Sequence, residues 1–213
     1  MPGPGNAWYY RSGPQPNGRW TVCCYQNDLR EDGSIADPGS LPSLPPDADV
    51  LWRADVGPSD RAVITVTETG APGAPPAWFV VIRQQQDGRP RVTLVGFCTD
   101  HVADGTVVPD AAFFTMPVRS ESQAGAIRWW ADTAVVDEIY VQPEMRRSNL
   151  GSKLIYTASG YHQHHGWPDR LHSDGRRTDL GQEFVVGLRH PARMAPWTHR
   201  AAPMTPPNRM RGR

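Results

Sequence analysis

The stretch Thr133–Gly166, TAVVDEIYVQPEMRRSNLGSKLIYTASGYHQHHG, decides how the rest of the chain is read. Ala134 to Val141 is an apolar, β-branched run of strand character, Pro143 turns the chain, and a basic turn ends in Asn149-Leu150-Gly151. A helix then runs to Gly166, with Leu150, Leu154, Ile155, Ala158 and Tyr161 forming a stripe of 3.6-residue period. A strand that turns tightly into a helix leaves several backbone N–H groups pointing one way, with the positive end of the helix dipole behind them. Such a place attracts a phosphate or pyrophosphate, and Arg146 and Arg147 stand where their charge would reinforce it.

Arg146-Arg147-Ser148-Asn149-Leu150-Gly151 resembles the pyrophosphate-binding signature Q/R-x-x-G-x-G/A of the GNAT superfamily of N-acetyltransferases, and Glu138 to Glu144 resembles the strand that enters it. Arg146 fills the first position and Gly151 the last, while Asn149 replaces the first glycine. Asn is the residue that, after glycine, best adopts a left-handed conformation, so the replacement is mild. The resemblance implies an α+β fold with a mostly antiparallel central sheet flanked by helices. It also implies acetyl-CoA as cosubstrate and an amine acceptor. The pyrophosphate would be held by Arg146, Arg147, Ser148, Asn149, Leu150, Gly151 and Ser152, and the pantetheine arm by backbone groups of Tyr140 and Val141.

The same resemblance directs the search for a base to the strand. Glu138 shares a face with Tyr140 and is the first choice; its neighbour Asp137 is the second, because successive strand residues face opposite ways. His172 is the third, imidazole being suited to proton transfer near neutrality. The family's late tyrosine is absent: Thr178, Gly181 and Val185 fall on the three positions of its Asn-x-x-Ala-x-x-x-Tyr pattern. Tyr140, Tyr156 and Tyr161 are the alternative proton donors to the leaving thiolate. A carboxylate that merely pairs with an arginine at the sheet surface is the plainer reading of Asp137 and Glu138.

Outward from this stretch, residues 61–190 read as one domain. Ala62–Thr67, Trp78–Arg83 and Arg91–Cys98 are strands, the last two forming a hairpin about Asp87-Gly88-Arg89-Pro90, and Ala112–Val118 reads as a further strand or edge segment. Thr178–Leu188 reads as a helix. Residues 1–60 are Pro/Gly-rich with Trp8, Tyr9, Tyr10, Trp20 and Tyr25, an extension whose aromatics anchor it to the domain or line a site. Residues 191–213 contain arginines and prolines and no acid, and read as a disordered basic tail that could dock an acidic partner.

The whole chain of 213 residues balances 22 basic against 22 acidic residues, which removes any global pull toward nucleic acid or membrane. Lys153 is the only lysine. Three cysteines, with Cys23 and Cys24 adjacent, make neither a disulfide framework nor a zinc spacing, so a reducing, cytoplasmic setting is expected. His162, His164 and His165 suit the negative end of a helix dipole better than a metal site. Besides the acetyltransferase, two readings stay open: a GNAT-fold binding module without catalysis, and an interaction protein that works through its basic tail.

Overall fold

The structure is a computed structural model that describes residues 5–13, 16, 18–40, 49–57, 62–188 and 194–201. The basic tail and the linker at 41–48 lie largely outside them. Four strands, β1 (Ala7–Ser12), β2 (Trp20–Gln26), β4 (Asp49–Val56) and β5 (Ala62–Val66), make one antiparallel half, with the two-residue β3 (Ile35–Ala36) beside β1. The second half contains β6 (Trp78–Gln86), β7 (Arg89–Phe97), β9 (Gln123–Trp130) and β10 (Val135–Val141), all antiparallel, with β11 (His172–Ser173) parallel to β10. The short β8 (Thr106–Pro109) joins the halves, antiparallel to β5 and parallel to β6. The result is one 11-stranded mixed sheet.

The GNAT-like arrangement of a central sheet flanked by helices is therefore not what the chain adopts. Besides α1 (Asp110–Phe113) and α3 (Asp179–Val186), the described residues hold one long helix, α2 (Leu150–His164), and both halves of the sheet pack on it. Gly160 lies against Ile64 of β5 and Trp52 of β4, while Leu154 lies against Gly96 of β7 and Gly125 of β9. A sheet of this breadth twists and coils, and this one coils around α2.

The sequence of α2 explains why it can be enclosed. Gly160 lets β4 and β5 come close on the side away from the Leu150–Tyr161 stripe, against Trp52 and Ile64, and the small Thr157 and Ser159 are buried as well. Its three longer buried polar residues each have a partner. Lys153 Nζ donates to Asp104 (2.6 Å) and to the Pro75 carbonyl (2.9 Å), Gln163 donates to the Asp169 carbonyl (3.0 Å), and His162 is bonded on both ring nitrogens. Buried polar groups are tolerated only with such partners.

The ends of the sheet meet across α2. Arg170, just before β11, donates to Asp32 at 2.5 Å, and Asp32 also accepts from the Ala7 N–H at the start of β1. Gly33 adopts φ +75° directly under the Arg170 side chain, where a Cβ would overlap the guanidinium. The segment read as an N-terminal extension thus supplies β1–β4 of the common sheet. Trp8 stacks on Tyr25 with ring centroids 5.0 Å apart, and its indole N–H donates to Asn27 (2.7 Å).

The β6–β7 hairpin turns at Asp87-Gly88, both at positive φ, as a two-residue turn of primed type requires. Ala112–Val118 is not a strand: α1 and the turn after it carry Phe113 and Met116 onto Trp78, Val80 and Phe97. Pro109 supplies the fixed backbone angle at the helix start.

Candidate functional site

Strand β10 has two different neighbours. Along β9 it is paired from Val136 to Val141, but β11 pairs only with Val135 and Val136, so the two parallel strands part immediately afterwards. Gln142 N–H donates to the Ala124 carbonyl. Strand alternation then turns the backbone groups of Tyr140 and Glu138 toward β9 and those of Ile139 and Val141 toward the open side. Of the two residues expected to face a ligand with their backbone, Val141 does so and Tyr140 is engaged with β9. The Val141 carbonyl accepts from Arg146 Nε at 3.2 Å.

At the end of β10 the chain passes through a 3₁₀ turn, Pro143–Met145, and then two left-handed residues, Arg147 (φ +63°) and Asn149 (φ +59°). Asn149 is the N-cap residue of α2, but its side chain donates to the Pro72 carbonyl (2.7 Å) and makes no cap. The first-turn N–H groups of α2 therefore have no side-chain acceptor in the cap position. Ser148 Oγ is turned to the Met145 carbonyl (2.6 Å). Arg147 is exposed and Arg146 half-buried, so the turn is a basic rim around the helix end. Leu150 is core. Gly151 carries Phe184 of α3 on it: a Cβ would come within 3.0 Å of the ring. That contact accounts for the glycine by itself.

The candidate bases all lie on the face of the sheet turned away from α2. Ile139 and Val141 pack on the α2 side, so Glu138 and Tyr140 point outward; His172 is the cross-strand partner of Val135, which also faces out. A register shift between Val136 and Glu138 marks a β-bulge at Asp137. The bulge brings Asp137 to the same face as Glu138 instead of the opposite one. Asp137 accepts from Arg91 Nη2 (2.5 Å) and Arg128 Nε (3.1 Å), and Glu138 pairs with Arg128 Nη2. Beside this network, Arg89 and Arg91 lie 4.5 and 5.0 Å from the Trp130 ring centroid. His172 Nδ1 is held by the Arg170 carbonyl (2.9 Å), so in the neutral ring the proton is on Nδ1 and the lone pair on Nε2.

Sequence reasoning missed Arg91 and Arg128, although they occupy outward positions of two neighbouring strands, where they can meet the acids of a third. Of the alternative proton donors, Tyr161 is fully enclosed, edge-on to Trp129, and Tyr156 is half-buried on α2. The histidines at the end of α2 hold packing roles: His162 accepts from the Trp129 indole (3.2 Å) and donates to the Pro168 carbonyl (2.8 Å), and His165 stacks on Trp167. Burial holds the His162 pKa below its ordinary value. Among the described residues no group of three or more His, Cys, Asp or Glu is placed to hold a metal ion, and no helix is long and apolar enough to cross a membrane. No family model matches the chain, and neither does any curated protein or solved structure.

Proposed function

We propose that the chain binds an acyl-CoA at the parting of β10 and β11 and transfers its acyl group to an amine. The single observation that carries this reading is the coincidence, at one end of β10, of an open backbone edge with a basic, left-handed turn onto an uncapped helix. It rests on this local geometry, not on the GNAT fold. Backbone N–H groups at the start of α2 with Arg146 and Arg147 would hold the pyrophosphate. With the Val141 carbonyl held by Arg146, the open edge offers the Ile139 carbonyl and the Val141 N–H to the amides of the pantetheine arm, and the Ile139 N–H to the carbonyl oxygen as it gains charge.

In the transfer step the amine nitrogen forms a bond to the thioester carbonyl carbon, the carbon–sulfur bond breaks, and the thiolate leaves. His172 Nε2 takes the proton from the nitrogen. Asp137 and Glu138, both engaged by arginines, keep the outward face electrically balanced and orient Arg128. Tyr140 lies on the same face as these groups. The cysteines, all unpaired thiols, fit the cytoplasm as the setting.

Calorimetric titration with acetyl-CoA tests the site, with Arg146→Ala and Arg147→Ala as variants. We expect each to weaken binding roughly tenfold, the order of one charge-assisted contact. Gly151 is unsuitable for this test because of Phe184. An assay of amine acylation with His172→Gln then tests the chemistry. Binding without any transfer would favour a second reading, a nucleotide-binding module without catalysis, which the arginine pairing of both carboxylates also supports.

A further inference from the structure

A single imidazole joins the two strands on either side of β10. His162, fully buried near the end of α2, is bonded at both ring nitrogens: the Trp129 indole of β9 lies 3.2 Å from Nδ1, and the Pro168 carbonyl lies 2.8 Å from Nε2. Trp129 is the cross-strand partner of Val136 in β10. Pro168 begins the short approach to β11, where His172 donates its N–H to the Ala134 carbonyl just before β10. The tie therefore runs from β9 through the helix to the approach to β11, spanning the strand whose edge opens beyond Val136.

The two partners fix which ring nitrogen carries the proton. An indole N–H can only donate, so Nδ1 presents its lone pair to Trp129; a carbonyl can only accept, so the proton sits on Nε2. Only the neutral ring in this tautomer makes both bonds. A second proton has one place to go, Nδ1, where it meets the indole N–H donor to donor. The bond to Pro168 survives that step and gains the strength of a charged donor. Protonation thus cuts the tie on the β9 side and tightens it on the β11 side.

Burial holds the ring's pKa below its ordinary value, against the Pro168 and Asp169 carbonyls and the Asp169 carboxylate, which favour the charged form. Trp167 packs edge-on at 5.5 Å between centroids. The other titratable groups on the surrounding elements are Tyr161, His164 and His165 near this end of α2, and Tyr9 and Cys24 on the inward faces of β1 and β2. Arg83 of β6 is exposed at the far end of the row that holds Val92 and Trp129. Arg128 of β9 points to the opposite face, and Arg170 is paired with Asp32. The segment carrying Pro168 turns through two left-handed residues, Gly166 (φ +65°) and Asp169 (φ +61°). A bond from Gln163 to the Asp169 carbonyl holds it to the helix whatever the state of the imidazole.

We propose that His162 is an acid-sensitive latch: a proton taken up at Nδ1 releases the Trp129 indole from α2 and loosens the pairing of β11 with β10. The latch acts on the strands themselves, so it stands or falls apart from the acyl-CoA reading.

The test is ¹H–¹⁵N NMR of the indole N–H groups in the full chain, titrated from about pH 7.5 to about pH 5, across the ordinary histidine range. The loss of one signal in Trp129→Phe assigns that indole. Corrected for the intrinsic effect of pH, solvent exchange of the Trp129 indole should rise roughly tenfold on acidification, the order of one lost hydrogen bond. The His172 amide should quicken with it. The Trp8 and Trp78 indoles, bonded to Asn27 and Thr99, should keep their protection. In His162→Gln, whose amide accepts and donates at every pH, the Trp129 signal should hold steady over the same range. A Trp129 indole unchanged down to pH 5 overturns the latch. So does one that is lost only together with Trp8 and Trp78, or one that responds equally in His162→Gln.

Discussion

The two halves of the sheet present the same kind of surface to α2 and very different ones to the outside. Inward, Leu51, Trp52, Ala54 and Ile64 of the first half and Val92, Leu94, Ile127 and Trp129 of the second form one continuous core around the helix. Outward, the first half carries Trp8, Cys23 and Tyr25, closed over as a satellite apolar cluster. Burial raises the Cys23 thiol above its ordinary value and pushes Tyr25 up to about 12, so both stay neutral. The second half closes its β6–β7 part in the same way, under Phe113 and Met116, but toward β10 it carries Arg91, Arg128, Asp137 and Glu138, with His172 beyond them. The outer faces differ at their margins: the β1–β2 margin is closed and apolar, the β9–β10 margin charged.

The largest effect should come from breaking the shared core. Trp52 is fully buried in the first half, against α2, and Trp52→Ala should cost about 3–5 kcal/mol. Because α2 serves both halves, we expect chemical unfolding to stay a single transition, with hydrogen exchange in β7 and β9 losing protection together with β2 and β4. Persisting protection in β7 and β9 would show that the second half stands alone.

Next is the anchoring of the helix start. Lys153 is 4% exposed and its charge is met by Asp104, which also accepts the Ala77 N–H at 2.7 Å. Asp104→Ala leaves a buried ammonium without its counter-charge, at a cost of about 3 kcal/mol in thermal or denaturant unfolding. Asp104→Asn, which keeps an acceptor, should cost less. Equal losses would mean that shape rather than charge fixes this end of α2.

These two anchors mark the boundary of what could be read from sequence. The strand, turn and helix of Thr133–Gly166 and the Asp87-Gly88 hairpin were legible because hydrophobic period and turn chemistry are local. The enclosure of α2 was not, since it depends on Gly160, which looks like an indifferent position until Trp52 and Ile64 approach it. The N-terminal strands were hidden by prolines and glycines between short apolar runs, and pairing between distant strands leaves no local mark. At the site, the basic turn was visible but the bulge at Asp137 was not. A single extra residue changed an expected alternation into two carboxylates on one guanidinium.

A smaller effect, dependent on pH, belongs to the second half. His162 is neutral inside the fold because burial lowers its pKa below the ordinary 6.5. Its contribution is present above that value. As pH falls through it, the unfolded chain takes up the proton first, so stability should decline between pH 7 and pH 5, by up to about 1.4 kcal/mol per pH unit. His162→Gln should flatten this slope while lowering the plateau at pH 7.5. A slope unchanged in the variant would assign the acid sensitivity to other groups.

The smallest change in stability should come from the seam where the halves close. The Arg170 and Asp32 side chains are each 37% exposed, so their ion pair is screened, and Asp32→Asn should cost about 0–1 kcal/mol, diminishing further in high salt. Its consequence is better sought in motion than in stability. The pair joins the β1 end of the sheet to the approach to β11, two margins whose Ala7 and Leu171 line a small apolar cleft with Ile155 and Ser159 of α2. Loosening it should speed hydrogen exchange at Ile155–Ser159 of α2 and leave the Trp52 side of the helix as before. Uniformly faster exchange along α2 would mean that the seam supports the whole enclosure, and that the contrast between a closed margin and a charged one ends at the outer faces.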